Sequence, residues 1–188
     1  MRQAERMNAL IQNLVQIARA QETETGEQRD LDLSAVVSET ADTFIPVAVS
    51  EGKKLQKDLP EALAFKAEEG KIRQLVSILV DNAVKYCDAE GTISIRLVPD
   101  KKGAVLTVSN DYSAGADVDC RRFFERFYRQ DEARTISTGS ASEGESASAG
   151  PGGYGIGLSI AESLVTAMHG SIDADWKDGV ITFTCRIR

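Results

Sequence analysis

Histidine is nearly absent from this chain. His169 is the one copy among 188 residues. That excludes a multi-histidine metal site, and it leaves one imidazole at most for any Ser-His-Asp or Cys-His arrangement. His169 ends an apolar-periodic run just before Gly170, where a helix C-terminus expects a basic residue and then a glycine in the left-handed C′ position. A capping role is therefore expected of it. Cysteine is scarce too. Cys87, Cys120 and Cys185 are odd in number and show no CxxC spacing. They point away from a disulfide framework or a zinc site and toward a reducing setting. No run is long and apolar enough to cross a bilayer, and no signal peptide is visible at Met1. Positive charge is in deficit. A net charge of −7 argues against nucleic acid as a partner, while leaving room for a local cationic pocket.

What is present is centred on QLVSILVDNAVKYC, Gln74–Cys87. Ile72, Leu75, Val76, Leu79 and Ala83 recur at helical spacing, so a helix from about Glu68 to Tyr86 is expected to pack on a core. Asn82, Lys85 and Tyr86 stand at i, i+3 and i+4 and share another face. A neutral oxygen donor, a cation and an aromatic ring together suit a metal, a phosphate and a flat base. Ordinary surface polarity is the other reading of these three residues.

The remaining elements follow in order. Residues 1–22 carry an apolar stripe, with Met7, Leu10, Leu14 and Ile17 at the alternating spacing of a coiled-coil seam. A dimerisation helix is preferred there over a helix folded onto the domain. Residues 23–30 read as a polar linker. Ser34 is the expected N-cap of a helix through Phe44 and Ile45, which should kink or restart at Pro46. Short strands are expected at Leu55–Leu59 and Ala62–Phe65. Thr92–Val98 and Ala104–Ser109 form a hairpin around PDKKG. Cys120–Arg134 is dense in aromatics and arginines. Residues 135–153 are almost all small or polar and read as a flexible, lid-like loop. A helix through Ile160, Ala161, Leu164, Val165 and Met168 follows. Two strands, Ser171–Trp176 and Val180–Arg188, close the chain.

Gly153, Gly155 and Gly157 alternate immediately before that last helix. Glycines admit a phosphate close to the backbone, and a helix start offers free N–H groups and the positive end of its dipole. The cluster is neither a Walker A loop nor a Rossmann fingerprint: no Gly-Lys-Ser/Thr follows, and no strand precedes it.

Four motifs in order make the chain resemble the ATP-binding catalytic domain of sensor histidine kinases, within the wider gyrase, heat-shock chaperone and mismatch-repair ATPase family. LVDNAVKY resembles the N box. VSNDYSAG stands where the first glycine box belongs. RFFERFYRQDEAR resembles the F box, and GGYGIGLSIAESLVTAMHGSI the second glycine box with its helix. ERMNALIQNLVQIARAQE is similar to the second helix of the dimerisation and phosphoacceptor domain. The resemblance implies an α+β, Bergerat-type α/β sandwich over residues 31–188, with a mixed sheet backed by helices and an ATP lid at about 121–156. A long N-terminal amphipathic helix would precede it. It implies ATP and Mg²⁺ as ligands. Asn82 would hold the metal, Lys85 would offset phosphate charge, and Tyr86 would contact the adenine or ribose. Asn110 and Asp111 would flank the base. Gly153, Gly155, Gly157 and Leu158 would meet the phosphates. Phe124 and Phe127 would anchor the lid. Arg126, Arg129 and Arg134 either face the phosphates or form a solvated face. The implied partners are the dimerisation/phosphoacceptor domain, a response regulator and a second copy in a full-length homodimer. The implied setting is cytoplasmic, with anchoring of the parent protein left open.

Three departures qualify that expectation. Ile78 stands one helical turn before Asn82, where the family commonly has an asparagine. Asn110 takes the slot of the adenine-binding aspartate, and glycines of that box are lost. The phosphoacceptor histidine is not found, and its segment is expected upstream of Met1. The alternatives are a degenerate nucleotide-binding or interaction module, and a serine kinase of the anti-sigma type.

Overall fold

The computed structural model describes residues 27–116, 119–125 and 156–188. The expected helix at residues 1–22 lies outside them. Among the described residues, seven strands and four α-helices follow one another. These are β1 (Arg29–Asp32), α1 (Leu33–Asp42), α2 (Ile45–Ser50), β2 (Lys54–Asp58), β3 (Ala64–Ala67), α3 (Glu69–Tyr86), β4 (Thr92–Asp100), β5 (Gly103–Asp111), α4 (Gly157–Ala167), β6 (Ser171–Lys177) and β7 (Val180–Ile187). Five strands form a mixed sheet in the order β2-β4-β5-β7-β6, and β1 pairs with β3 apart from it. Only the β2–β4 pair is parallel; the other neighbours in the sheet are antiparallel. Among the described residues, no helix is long and apolar enough to cross a membrane.

The alternation along the strands explains the two layers. Ile93, Ile95 and Leu97 of β4, Leu106 and Val108 of β5, and Ile181, Phe183 and Cys185 of β7 are buried. Their neighbours Ser94, Thr107 and Thr184 lie on the other face and are half-buried. The apolar face is covered by helices. Ile72, Leu75, Val76, Leu79 and Ala83, the stripe expected of α3, are all buried, alongside Leu33 and Val37 of α1 and Ala161 and Val165 of α4. α3 packs between α1 and α4 and against β5. The expected sandwich of a mixed sheet backed by helices is thus observed.

Several local expectations change. The cap of α1 is Asp32, not Ser34: its carboxylate accepts from Ser34 N at 3.0 Å and Ala35 N at 3.4 Å, and from Leu63 N at 3.0 Å across the chain. Arg29 and Asp30, assigned to a linker, belong to β1 and pair with Ala67 and Lys66. The interruption at Pro46 is a restart, with the proline in the first turn of α2. Pro99 sits inside β4 opposite Ala104. It is tolerated because β2 pairs with β4 only up to Arg96, so β4 has a free edge at Pro99. The last helix ends in a Schellman motif, with Gly170 N on Val165 O at 2.9 Å and His169 N on Thr166 O at 3.0 Å. The left-handed residue is His169, with φ 55°, not Gly170. Gly170 is required for another reason: a Cβ there would lie 1.9 Å from the Arg186 carbonyl oxygen.

Candidate functional site

The C-terminal half of α3, the end of β5 and the start of α4 converge. A Cβ added at Gly157 would lie 3.6 Å from Ile78 Cγ2, so α4 begins against α3 one turn before Asn82. Ile78 is part of the apolar packing and holds the two helices together. The residue that departs from the family pattern therefore has a structural task, and offers no polar group beside Asn82.

On α3, Asn82 and Lys85 are half-buried and Tyr86 is exposed. The Lys85 ammonium bonds Asp81 at 2.5 Å, one turn back, with both groups partly in water. Such an i, i+4 pair is weak, so Lys85 is restrained near the site and can exchange its partner. The Asn82 carboxamide takes no hydrogen bond from any side chain among the described residues. The last turn of α3 is fixed from outside the helix. The buried Lys53 ammonium donates to Val84 O at 2.6 Å and to Glu51 at 2.7 Å. Val84 O is one of the four carbonyls that a helix end leaves without an intrahelical donor.

The end of β5 splits the two adjacent residues expected at the base. Asp111 is occupied: its carboxylate accepts from Thr92 N at 2.8 Å, and its carbonyl accepts from Asp88 N at 2.9 Å. It joins α3 to β4 and offers a ligand little. Asn110 is 1% exposed, on the strand face that carries Leu106 and Val108 toward the helices. Its Nδ2 donates to the Asp111 carbonyl at 3.0 Å, while Oδ1 is buried with no partner among the described residues. A buried, unpaired carbonyl is costly, and a donor such as an exocyclic amine removes that cost.

The loop after β5 is held on two sides. Ser113 N donates to Asp88 Oδ2 at 2.7 Å, Tyr112 N donates to Gly179 O at 2.6 Å, and Trp176 Nε1 donates to Tyr112 O at 2.7 Å. Lys53 and Trp176 escaped sequence reasoning. The carbonyls they bond, Val84 O and Tyr112 O, are distant in the chain, and neither residue carries a local motif.

At the start of α4, Gly157 is exposed and Leu158 half-buried. Among the described residues no side chain caps this end, and a helix start of this kind offers N–H groups to an anion. Phe124, expected at the base of the lid, packs partly on the core together with Phe123, whose ring lies 6.2 Å from that of Phe183. Arg126, Phe127, Arg129, Arg134, Gly153 and Gly155 lie outside the described residues. Among those described, no three His, Cys, Asp or Glu side chains cluster as metal ligands. One neutral oxygen from Asn82 still suits a Mg²⁺ that keeps waters and takes its other ligands from phosphates. All three thiols are free. Burial pushes the Cys87 and Cys120 thiols upward, and Cys185 up to about 12.

Residues 67–188 match the family described as histidine kinase-, DNA gyrase B- and HSP90-like ATPases. The chain is 30% identical to the phosphate regulon sensor protein PhoR of Pseudomonas aeruginosa, over 97% of this chain and 39% of that protein. It is 29% identical to the sensor histidine kinase RppB of Synechocystis, over 93% of this chain and 36% of that protein. It thus spans well under half the length of these relatives. The catalytic domain of the histidine kinase ThkA superposes with a TM-score of 0.68 at 18% identity, over 86% of this chain and 95% of that one. At that identity the likeness speaks for the fold alone.

Proposed function

Because this chain belongs to the family of histidine kinase-, DNA gyrase B- and HSP90-like ATPases, we propose that it is the Mg-ATP-binding catalytic domain of a two-component sensor histidine kinase. It delivers the γ-phosphoryl of ATP to a histidine outside this chain, for relay to a response regulator. The observation that carries the nucleotide reading is Asn110. Its buried Oδ1 has no donor among the described residues and stands at the end of β5, where the loop after the strand is tied to the residues that follow α3. The adenine amino group is that donor in this reading. Tyr86 flanks the base or ribose, and Gly157 and Leu158 bring the open start of α4 to the phosphates.

Asn82 holds Mg²⁺ through its amide oxygen, and the metal, when bound, neutralises charge on the phosphates. Lys85 leaves Asp81 to face the same phosphates. Phosphoryl transfer of this kind asks a protein mainly for position and charge neutralisation. His169 is not the acceptor in this reading: it ends the helix of the second glycine box and matches no phosphoacceptor motif. The dimerisation and phosphoacceptor domain, a response regulator and a second copy of the parent protein are the partners.

Calorimetric titration with Mg-ATP tests the site. Asn82→Ala should weaken binding at least about tenfold, the loss of one charge-assisted contact. Unchanged affinity would refute the role given to Asn82. Labelled ATP supplied with a histidine-bearing acceptor domain should then yield an acid-labile phosphoryl product. An acid-stable one would point to a serine kinase.

A further inference from the structure

We propose that Trp176 is a positioning residue for the nucleotide base, acting through the loop that follows β5. The inference rests on the nucleotide reading above and extends it to a side chain outside the four motifs. Residues 112–115 follow the end of β5, two residues after Asn110, and turn through a short 3-10 segment, Ser113–Gly115. Three contacts fix them to elements far away in sequence. The Trp176 indole N–H donates to Tyr112 O at 2.7 Å. The Tyr112 N–H donates to Gly179 O at 2.6 Å. Gly115 sits against the indole: a Cβ there would come 2.1 Å from Trp176 Cδ1 and 2.2 Å from Nε1. The hairpin of β6 and β7, with Asp178 and Gly179 in the left-handed region at its tip, thus grips both backbone groups of Tyr112. On the other side the loop is tied to the end of α3 by Ser113 N on Asp88 Oδ2.

The consequence is a division of labour. A loop with several glycines would be free to adjust around a base. This one keeps Gly115, holds Tyr112 and Ala114 at neighbouring positions, and takes its shape from the indole it rests on. Asn110 and Tyr112 are two residues apart, so the position of the loop bears on the base end of the site. The phosphate end, at Asn82 and Gly157, is built from other elements and does not involve Trp176.

Two measurements on the whole chain test this. Trp176→Phe keeps a ring under Gly115 and removes the donor to Tyr112 O. It should weaken Mg-ATP by about five- to tenfold, the equivalent of one hydrogen bond, and leave Mg-tripolyphosphate affinity unchanged. The second measurement needs no variant. Trp176 is the one tryptophan, so intrinsic fluorescence of the parent chain should shift on saturation with Mg-ATP and not with Mg-tripolyphosphate. Equal ATP affinity in the variant and the parent, or an equal loss for both ligands, overturns the inference. So does an emission spectrum indifferent to ATP in a chain that calorimetry shows to bind it. A parent chain that binds no Mg-ATP at all refutes the nucleotide reading itself, a result distinct from any of these.

Discussion

Asn110 is where one atom most sharply separates stability from binding. Its carboxamide is almost fully buried, one end held by the Asp111 carbonyl and the other without a donor among the described residues. In a carboxylate, both oxygens would only accept, and one would face the Asp111 carbonyl. The amide resolves that conflict by turning its NH₂ to the carbonyl, which leaves Oδ1 unpaired among the described residues. Replacing it with leucine, of the same branched shape but bulkier, removes a buried unpaired acceptor that costs about 1–3 kcal/mol, against one lost neutral hydrogen bond worth about 1 kcal/mol and some overpacking. The ligand-free Asn110→Leu chain should therefore melt close to the parent, while its Mg-ATP affinity falls by at least about tenfold. Calorimetric melting and titration of the same samples read both effects. A melting point several degrees below the parent would identify Asn110 as a structural group and not a ligand-facing one.

The elements show which parts of this molecule a sequence makes legible. α3, α4 and the two hairpins were readable because their apolar spacing is local and strict, and each packs as its period requires. β1 was not. RDLD has no strong strand pattern, and it is a strand because Ala64–Ala67 lies beside it. The cap of α1 was misassigned by two residues for a related reason: Asp32 is chosen by its reach to Leu63 as well as by its place before the helix. The site divides the same way. Asn82, Lys85 and Tyr86 announce themselves on one helical face, whereas Lys53 and Trp176 act over separations of 31 and 64 residues. Lys53 shows what that distance hides. It caps the turn of α3 that carries the site, so Lys53→Met leaves Val84 O buried without its donor. The expected loss is about 1–3 kcal/mol of stability, with weaker Mg-ATP binding in chain that remains folded. Urea unfolding followed by titration checks this, and an unchanged midpoint would show that the cap contributes nothing.

At the scale of the whole molecule, the five-stranded sheet and its helical cover share one core and are expected to unfold as one unit, and Cys185 is placed to report on it. It lies fully buried in β7, opposite Leu106 on one neighbouring strand and Ile172 on the other. Burial raises its thiol from 9.0 to about 12, with the Asp173 carboxylate adding to the effect. In the unfolded chain the thiol ionises at its ordinary value. A folded pKa raised above the unfolded one means that the folded state holds the proton more tightly. The associated stability is fully present below about pH 9 and is lost as the pH climbs toward about 12. Tyrosines, lysines and the other two cysteines titrate in the same window, but they do so equally in a Cys185→Ala variant. The informative quantity is therefore the stability gap between parent and variant. At pH 7 the parent should be the more stable, because alanine leaves a small void in a close-packed layer. Above pH 9 the gap should narrow steadily, since only the parent gains the Cys185 thiolate on unfolding. Urea unfolding of both chains at several pH values from 7 to 11 measures it. A gap that stays constant across that range would mean that the sheet opens locally around β7 and lets Cys185 ionise without global unfolding.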